Sequence, residues 1–223
     1  MNITNEKVTD YIVSFYQPWN DTMRKLRAQS EADQIPLILK ETEMLFRTLL
    51  PLRPVHRVLE IGTAYGYSSI FFAHILPESR ITTVELSDTN YQVAVDNIWE
   101  QGLTDRIQVI HGDGSVVLDE LIQDAEVGNA EPFDLIFIDA AKSHYMEFFE
   151  KAEKLCSKDA LIVCDNILMK AFLVDSSLDR KRRHRTSVKR MNEFLEYVHS
   201  RADLEVSLLS CGDGLLLIKE NKK

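Results

Sequence analysis

The feature that most constrains the fold is a regular alternation of short β-rich runs and helical patterns in the second quarter of the chain and beyond. Five β-rich runs precede helical patterns or polar loops, at residues 57–62, 80–86, 107–112, 133–140 and 160–166. The central runs are almost continuously apolar, which is typical of strands buried on both faces. Repeated strand–helix units favour a parallel sheet with right-handed crossovers and helices on both faces. The sequence therefore predicts an α/β fold.

Helical patterns and two further strands complete this prediction. The helical patterns lie at about 67–76, 87–101, 114–124, 144–156 and 186–200. Two more β-rich runs, 204–210 and 214–220, close the chain.

The first 54 residues form a separate pattern that predicts an N-terminal helical segment. The spacing of its apolar residues predicts one helical face formed by Leu37, Met44, Leu45 and Leu49. The helical region ends at Pro51 and Pro54. A chain of 223 residues fits one large domain. We expect a single domain over 1–223, with 55–223 as its core.

Composition places the chain among soluble globular proteins. Hydrophobic residues make up 45% and charged residues 27%, and the net charge is -9. The N-terminus has no basic region followed by an apolar core, and no apolar run approaches the roughly 18 residues that a membrane span needs. We therefore expect a cytoplasmic protein in which Cys156, Cys164 and Cys211 are reduced and mostly buried.

Glycines and acids follow the first three predicted strands, where ligands of parallel sheets bind. Gly62 and Gly66 bracket a turn into a helix, where backbone can approach a ligand closely. Glu60 precedes this turn and suits a cationic ligand group, while Glu85 can accept hydrogen bonds from ribose hydroxyls. Asp113 stands where an adenine edge would lie. The structural alternatives are a tight turn at the glycines, a helix-capping or solvated acid at Glu85, and a loop-forming Asp-Gly at Asp113.

Oxygen ligands follow the fourth and fifth predicted strands. Asp139 ends one strand, and Asp165 and Asn166 end the next. Such a set, without His or Cys, favours a hard divalent cation such as Mg²⁺. Lys142 comes three residues after Asp139, and an ammonium beside a divalent ion can have a lowered pKa and act as a base. Helix capping by the two aspartates is the alternative.

Four motifs together resemble the metal-dependent S-adenosylmethionine O-methyltransferases, the group of catechol and caffeoyl-CoA O-methyltransferases. They read VLEIGTAYGYSS, TVELSD, FDLIFIDAAKSHY and IVCDNIL, and the resemblance covers about residues 35–220. It implies a Rossmann-like methyltransferase fold with a mostly parallel seven-stranded sheet and a C-terminal antiparallel hairpin. It also implies S-adenosylmethionine and Mg²⁺ or another divalent cation as cofactors, and a homodimer.

The resemblance also implies roles for individual residues. The methionine portion of the cofactor would be lined by Gly62, Tyr65, Gly66 and Ser68, with Glu60 nearby. Glu85 would hold the ribose, and Asp113 and Gly114 would face the adenine. Asp139 would belong to the cofactor site and also bind the metal with Asp165 and Asn166, and Lys142 would be the catalytic base. The chain departs from the family near the N-terminus, where Lys40 and Glu43 replace the usual Pro and Gly and Glu41 matches.

A dense basic stretch contrasts with the acidic chain. It contains Arg180, Lys181, Arg182, Arg183, Arg185, Lys189 and Arg190. Since this stretch follows the predicted metal ligands, it would border the site and hold a phosphate backbone, with Arg24, Lys25 and Arg27 extending the patch. The local sequence looks most like bacterial relatives that methylate 5-hydroxyuridine in the tRNA anticodon, so a tRNA anticodon loop is the expected partner.

Three alternatives concern this stretch and the activity. The first is a small-molecule O-methyltransferase that acts on catechol-like phenols or their CoA esters. The second is a non-catalytic RNA-binding module, against which the intact set of Asp139, Lys142, Asp165 and Asn166 argues. The third is a solvated loop and helix start without a partner.

Overall fold

The computed structural model of the protein describes residues 5–179 and 183–221. Seven strands within these ranges form one sheet in the order β3-β2-β1-β4-β5-β7-β6. The strands are β1 Arg57–Ile61, β2 Arg80–Glu85, β3 Ile107–His111, β4 Phe133–Ile138, β5 Cys156–Cys164, β6 Leu204–Leu209 and β7 Leu215–Glu220. The helices are α1 Glu6–Val13, α2 Asp21–Ala32, α3 Lys40–Leu49, α4 Tyr67–Ile75, α5 Asp88–Glu100, α6 Gly114–Glu126, α7 Tyr145–Glu153 and α8 Arg185–Ser200.

The sheet topology confirms the predicted α/β architecture. Strands β1 to β5 pair in parallel, while β7 pairs antiparallel with both β5 and β6. The chain moves outward from β1 to β3 on one side and returns to β4 on the other. The strand order therefore reverses between β1 and β4, and the crevice beyond their carboxyl ends is where ligands bind in such sheets.

Strand β5 begins earlier than the sequence pattern predicts. Its first residue, Cys156, pairs with Phe133, and the register then shifts before Leu135 pairs with Leu161. The helical pattern had been extended to residue 156, but α7 ends at Glu153. The pairing with β4 recruits this segment into the sheet, and a tertiary contact of this kind overrides local propensity.

Aromatic clusters fill the core on both faces of the sheet. On one face Phe137 packs against Phe72 of α4, with ring centroids 5.3 Å apart. On the other face Phe149 of α7 packs against Phe194 of α8, with centroids 5.6 Å apart. All four side chains are buried, so helices on both faces are held by extensive apolar contact. None of the helices in the described ranges combines the length and apolar character that a membrane span requires.

The N-terminal segment contains α1, α2 and α3, and the predicted apolar face of α3 is confirmed only in part, since Leu37 and Leu45 pack against the core. Leu37 lies in the connector before α3, and the buried face of the helix is formed by Thr42, Glu43 and Phe46. Met44, Leu45 and Leu49 are only partly buried. The buried carboxylate of Glu43 pairs with Arg27 of α2 and with Arg47 of α3 itself, so its charge is compensated on the inward side of α3.

Candidate active site

A cavity of about 590 Å³ lies beyond the carboxyl ends of β1, β2 and β4. The turns after these strands form most of its wall, and the connector between α2 and α3 closes part of one side. Of the predicted cofactor residues, those that line it are Gly62, Tyr65, Ser68, Glu85, Asp113, Gly114 and Asp139. The volume suits a small organic ligand, and the position at the reversal of strand order is the one that the fold favours.

Gly62 allows the ends of β1 and β4 to approach closely. Its φ angle is +102°, and a Cβ atom at this position would lie only 2.1 Å from the backbone oxygen of Asp139. Its amide donates to the carbonyl of Val84 at 3.0 Å. Only glycine meets both requirements, because other residues rarely adopt this conformation and carry a Cβ. Gly62 thereby brings Asp139 to the cavity wall.

Glu85 ends β2 with its carboxylate held by two backbone amides. The Oε2 atom accepts a hydrogen bond from the amide of Ala64 at 2.8 Å, and Oε1 accepts one from the amide of Ser87 at 2.8 Å. The residue is buried but lines the cavity. Each oxygen keeps a second lone pair, so the carboxylate can accept hydrogen bonds from a diol. The predicted role at a ribose is compatible with this arrangement and stays a prediction.

Glu60 is not among the residues that line the cavity, and its predicted place near the cofactor stays a prediction. Side chains alternate along a strand, and this one points beneath the first turn of α4. Its Oε2 atom accepts hydrogen bonds from the hydroxyls of Ser69 and Thr83. Burial raises the pKa of Glu60 to about 7, against the lowering effect of its hydroxyl partners. Glu60 thus links β1 to β2 and to the first turn of α4 beneath the cavity.

The turn after β1 divides the other predicted methionine-site residues into two groups. Tyr65 and Ser68 line the cavity, whereas Gly66 does not. Gly66 precedes α4 with a φ of +81°, a left-handed conformation that glycine adopts without strain. The turn thus requires a glycine here, and the predicted role of Gly66 at the cofactor stays a prediction.

Asp113 caps α6, and its predicted place at an adenine edge stays a prediction. It lines the cavity, and its Oδ1 atom also accepts a hydrogen bond from the amide of Ser115 at 2.8 Å, which caps α6. Gly114 is the first residue of that helix, and a Cβ there would lie 3.3 Å from the ring of Phe148. Absence of a side chain leaves the Phe148 ring at the cavity wall.

Lys142 lies among the predicted metal ligands. Its Nζ atom is within hydrogen-bond distance of Asp139 Oδ1 at 3.1 Å, of the Asp165 carbonyl at 3.2 Å and of Asn166 Oδ1 at 3.4 Å. Asp139, Lys142 and Asn166 all line the cavity. The ends of β4 and β5 thus bring together the residues that the sequence pattern assigned to metal binding and proton transfer.

Asp165 is fully buried behind Asn166, and it does not itself line the cavity. Within residues 5–179 and 183–221, its Oδ2 atom has no hydrogen-bond partner, while Oδ1 accepts from the Asn166 amide at 2.7 Å. Burial and the nearby Asp139 carboxylate raise its pKa to about 7. A buried carboxylate oxygen without a partner is costly, and a cation would satisfy it. In the described ranges no three His, Cys, Asp or Glu side chains are grouped for metal binding, so the set depends on the Asn166 amide.

Tyr145 is a site residue that the sequence pattern missed. Its buried hydroxyl accepts a hydrogen bond from Lys142 Nζ at 2.7 Å and donates to the carbonyl of Asp165 at 2.8 Å. The tyrosine therefore links Lys142 to the end of β5. The spacing of three residues between lysine and tyrosine was visible in the sequence, but a tyrosine in an apolar helix is usually a core residue.

The described part of the basic stretch lies beside this site. Arg183 and Arg185 are exposed at the start of α8, and Arg190 Nη1 donates to the carbonyl of Ser143 at 3.2 Å, one residue from Lys142. Lys189 is also exposed and pairs with Glu193 at 3.6 Å. Three cations that are predicted to bind RNA lie outside the described residues, namely Arg180, Lys181 and Arg182.

The predicted extension of the basic patch to Arg27 is wrong. Arg24 is exposed and pairs with Asp21 at 3.0 Å, and Lys25 is exposed. Arg27 is buried, however, and pairs with the buried Glu43 at 2.8 Å. A cation already neutralised inside the protein is not available to a phosphate.

Comparison with protein families and curated proteins finds O-methyltransferases. A family model described as O-methyltransferase matches residues 14–221. A catechol O-methyltransferase from Niastella koreensis is 38% identical over 121 residues, covering 54% of this chain and 53% of that protein. This chain thus spans about half the length of that relative. A candidate caffeoyl-CoA O-methyltransferase from Arabidopsis thaliana is 33% identical over 175 residues, covering 77% of this chain and 72% of that protein.

Solved structures have the same architecture. A candidate caffeoyl-CoA O-methyltransferase from Staphylococcus aureus has a TM-score of 0.88 at 28% identity, covering 97% of this chain and 100% of that chain. An O-methyltransferase of tomaymycin synthesis from Streptomyces achromogenes, solved with S-adenosylmethionine, has a TM-score of 0.81 at 25% identity, covering 97% and 96%. The predicted Rossmann-like fold with its C-terminal antiparallel hairpin is thereby confirmed.

Proposed function

Because the chain belongs to the O-methyltransferase family, we propose that it transfers a methyl group from S-adenosylmethionine to a hydroxyl of a small phenol that carries two adjacent oxygens. The observation that carries this proposal is the position of Lys142. Its amine lies 3.1 Å from Asp139 and 3.4 Å from Asn166, at a cavity that is also lined by Glu85. Catechol and caffeoyl-CoA O-methyltransferases among the relatives support an acceptor of this class.

The predicted cofactor residues support binding of the methyl donor in this cavity. Glu85 presents a carboxylate for the ribose hydroxyls, and Tyr65 and Ser68 stand at the turn proposed for the methionine portion. Asp113 and Gly114 lie beyond Glu85 for the adenine. A similar O-methyltransferase from Streptomyces achromogenes holds S-adenosylmethionine in its solved structure.

The residues at the ends of β4 and β5 fit a divalent cation. Asp139, Asp165 and Asn166 would hold it through two carboxylates and an amide oxygen, the donors that Mg²⁺ prefers. The unpartnered Oδ2 atom of Asp165 supports this proposal. When bound, S-adenosylmethionine supplies an electrophilic methyl group, and a divalent cation lowers the pKa of the acceptor hydroxyl.

Lys142 would accept the proton of the acceptor hydroxyl at Nζ. As a neutral amine it keeps two N–H donors for its neighbours and offers one lone pair to the proton. Tyr145 holds the amine in place through the 2.7 Å contact. The acceptor oxygen then forms a bond to the methyl carbon as the carbon–sulfur bond breaks. The cavity contributes mainly by aligning the two reactants, and close alignment lowers the barrier substantially.

The exposed cations at the start of α8 favour a second candidate acceptor, 5-hydroxyuridine in a tRNA anticodon loop. The 5-hydroxyl and the C4 carbonyl of this base are adjacent oxygens, as in a catechol. Arg183 and Arg185 are exposed, and Arg190 contacts the backbone next to Lys142. Cations at this position could hold a phosphate backbone while an unpaired base enters. The names of the relatives favour the small phenol.

Parallel methyl-transfer assays separate the two acceptors. Purified protein, labelled S-adenosylmethionine and Mg²⁺ are incubated with a catechol panel, with caffeoyl-CoA and with tRNA that carries 5-hydroxyuridine. Efficient labelling of a catechol or CoA ester supports the small phenol, and labelling of tRNA alone would replace it with the second candidate. Chelation of the metal with EDTA should abolish turnover, so full turnover in EDTA would contradict the metal site.

A further inference from the structure

A buried charged cluster joins the N-terminal helices to α4. Arg27 of α2 is 6% exposed and Glu43 of α3 is 0% exposed, and Nη2 of the arginine lies 2.8 Å from Oε2 of the glutamate. The hydroxyls of Tyr16 and Tyr67 donate to the same Oε2 atom at 2.8 and 2.7 Å. Arg47 bonds the other oxygen, Oε1. The carboxylate of Glu43 is therefore fully partnered.

The guanidinium of Arg27 is also held by aromatic rings. Its Cζ atom lies 4.6 Å from the ring centroid of Tyr67 and 5.4 Å from that of Tyr16. The planar group donates at once to Glu43, to the Tyr67 hydroxyl at 3.2 Å and to the carbonyl of Ile38 at 3.0 Å. This geometry depends on the fork of donors that arginine has and lysine lacks.

The cluster reaches the cavity in two places. Ile38 belongs to the connector 33–39 between α2 and α3, and its neighbours Pro36 and Leu37 line the cavity. Tyr67 also lines the cavity and is the first residue of α4. Arg27 and Glu43 thus hold both the connector and the first turn of α4, although neither lines the cavity itself.

Stability alone is a poor explanation of this arrangement. A buried ion pair usually stabilises a fold no better than apolar side chains of similar volume, because both charges must be desolvated. Directional hydrogen bonds do, however, fix the connected elements in one defined arrangement. The connected elements here are two walls of the proposed active site.

We propose that Arg27 and Glu43 are positioning residues for the methyl donor. They hold the connector and the first turn of α4 in the arrangement that binds S-adenosylmethionine. This inference rests on the proposed function, since it assumes that this cavity binds the donor. Without these contacts, the connector and the first turn of α4 would spend part of the time in arrangements that do not bind the donor. The apparent affinity for S-adenosylmethionine is then reduced in proportion to the fraction of protein in the binding arrangement.

Two variants and a matched control test the inference. The double variant Arg27→Met with Glu43→Leu removes both buried charges and keeps apolar volume, and Arg47 keeps its aromatic neighbours Tyr16, Trp19 and Phe71. Arg27→Lys keeps the charge but loses the fork. Arg24→Gln is the control, because Arg24 lies on the same helix with an exposed ion pair. Circular dichroism melts establish that each protein is folded at the assay temperature, and calorimetry measures the Kd for S-adenosylmethionine.

We expect both test variants to be folded and to bind S-adenosylmethionine about tenfold more weakly, the effect of a binding arrangement that is populated about one tenth of the time. The control should bind like the parent. A folded variant of either kind with a Kd within twofold of the parent overturns the inference and leaves the proposed function intact. If the double variant does not fold, Arg27→Lys decides alone. If the parent does not bind S-adenosylmethionine, the proposed function fails first.

Discussion

Replacing Gly62 with alanine should disrupt the junction between β1 and β4 far more than a comparable change elsewhere. The added Cβ would stand 2.1 Å from the backbone oxygen of Asp139 at a φ of +102°. Gly102 is the matched control, because its φ is +66° and a Cβ there would meet nothing within 4 Å. Both substitutions introduce backbone strain, but only the first also introduces a clash with backbone.

The structure sets the expected magnitudes. A left-handed conformation costs an alanine about 1–2 kcal/mol, and the reduced freedom of the unfolded chain returns about 0.4–1 kcal/mol. Gly102→Ala should therefore destabilise the protein by about 0–1.6 kcal/mol. At Gly62 the strain is at least as large, and overpacking adds about 1–3 kcal/mol. The total for Gly62→Ala is then about 1–5 kcal/mol, about 1–3 kcal/mol more than for Gly102→Ala.

Urea unfolding of the parent and both variants measures these free energies. The clash must also displace Asp139, so Gly62→Ala should lose methyl transfer even where it is fully folded, whereas Gly102→Ala should keep it. Equal stability of the two variants would refute the close approach of β1 and β4. Normal activity of folded Gly62→Ala would refute the need for Asp139 at this place.

Three further predictions follow from single residues. Lys142→Met should lower kcat by about 10²–10⁴-fold, the usual range for loss of a general base. Calorimetry should show unchanged binding of S-adenosylmethionine by this variant. An unchanged kcat would exclude Lys142 as the base. Burial raises the pKa of Glu60 to about 7 from an ordinary 4.5. The folded state therefore favours the protonated acid, and the stability associated with it is complete below pH 4.5 and is lost as pH rises through 7. Glu60→Gln should abolish that loss, up to about 3 kcal/mol, and parallel pH–stability curves of parent and variant would contradict this. Ala171 has a φ of +66°, so Ala171→Gly should relieve backbone strain and stabilise the protein by up to about 1 kcal/mol. The control Ala28→Gly, on the exposed face of α2, should destabilise the protein by about 0.5–1 kcal/mol. Thermal melts in which both variants shift the stability in the same direction would refute the backbone strain at Ala171.

Much of the candidate site could be predicted from the sequence, because it depends on where buried strands end. A run of apolar residues that stops at an acid or a glycine marks the carboxyl end of a strand, and parallel strands bring these ends to one edge. Asp139, Lys142 and Asn166 were placed together on this reasoning, and the structure brings them together. Their roles in metal binding and proton transfer stay predictions.

The sequence pattern does not record side-chain directions that depend on tertiary packing. Glu60, an acid next to a glycine turn, lies beneath α4 instead of lining the cavity, and its predicted place near the cofactor stays a prediction. Arg27 was counted with exposed cations because its neighbours Arg24 and Lys25 are exposed, yet its partner Glu43 lies on another helix. The tRNA partner, the homodimer and the cytoplasmic location stay predictions.

The sequence by itself determined the order of the elements and the edge of the sheet at which the site lies. Both follow from local patterns, namely continuous apolar runs, helical periodicity and the residues that interrupt them. Only the tertiary structure decided which polar groups face the cavity and which are buried beneath it. Glu60 and Glu85 are both acids in strands, but only Glu85 lines the cavity. The difference depends on side-chain direction and on partners distant in sequence, such as Thr83 for Glu60, and no local pattern records those contacts.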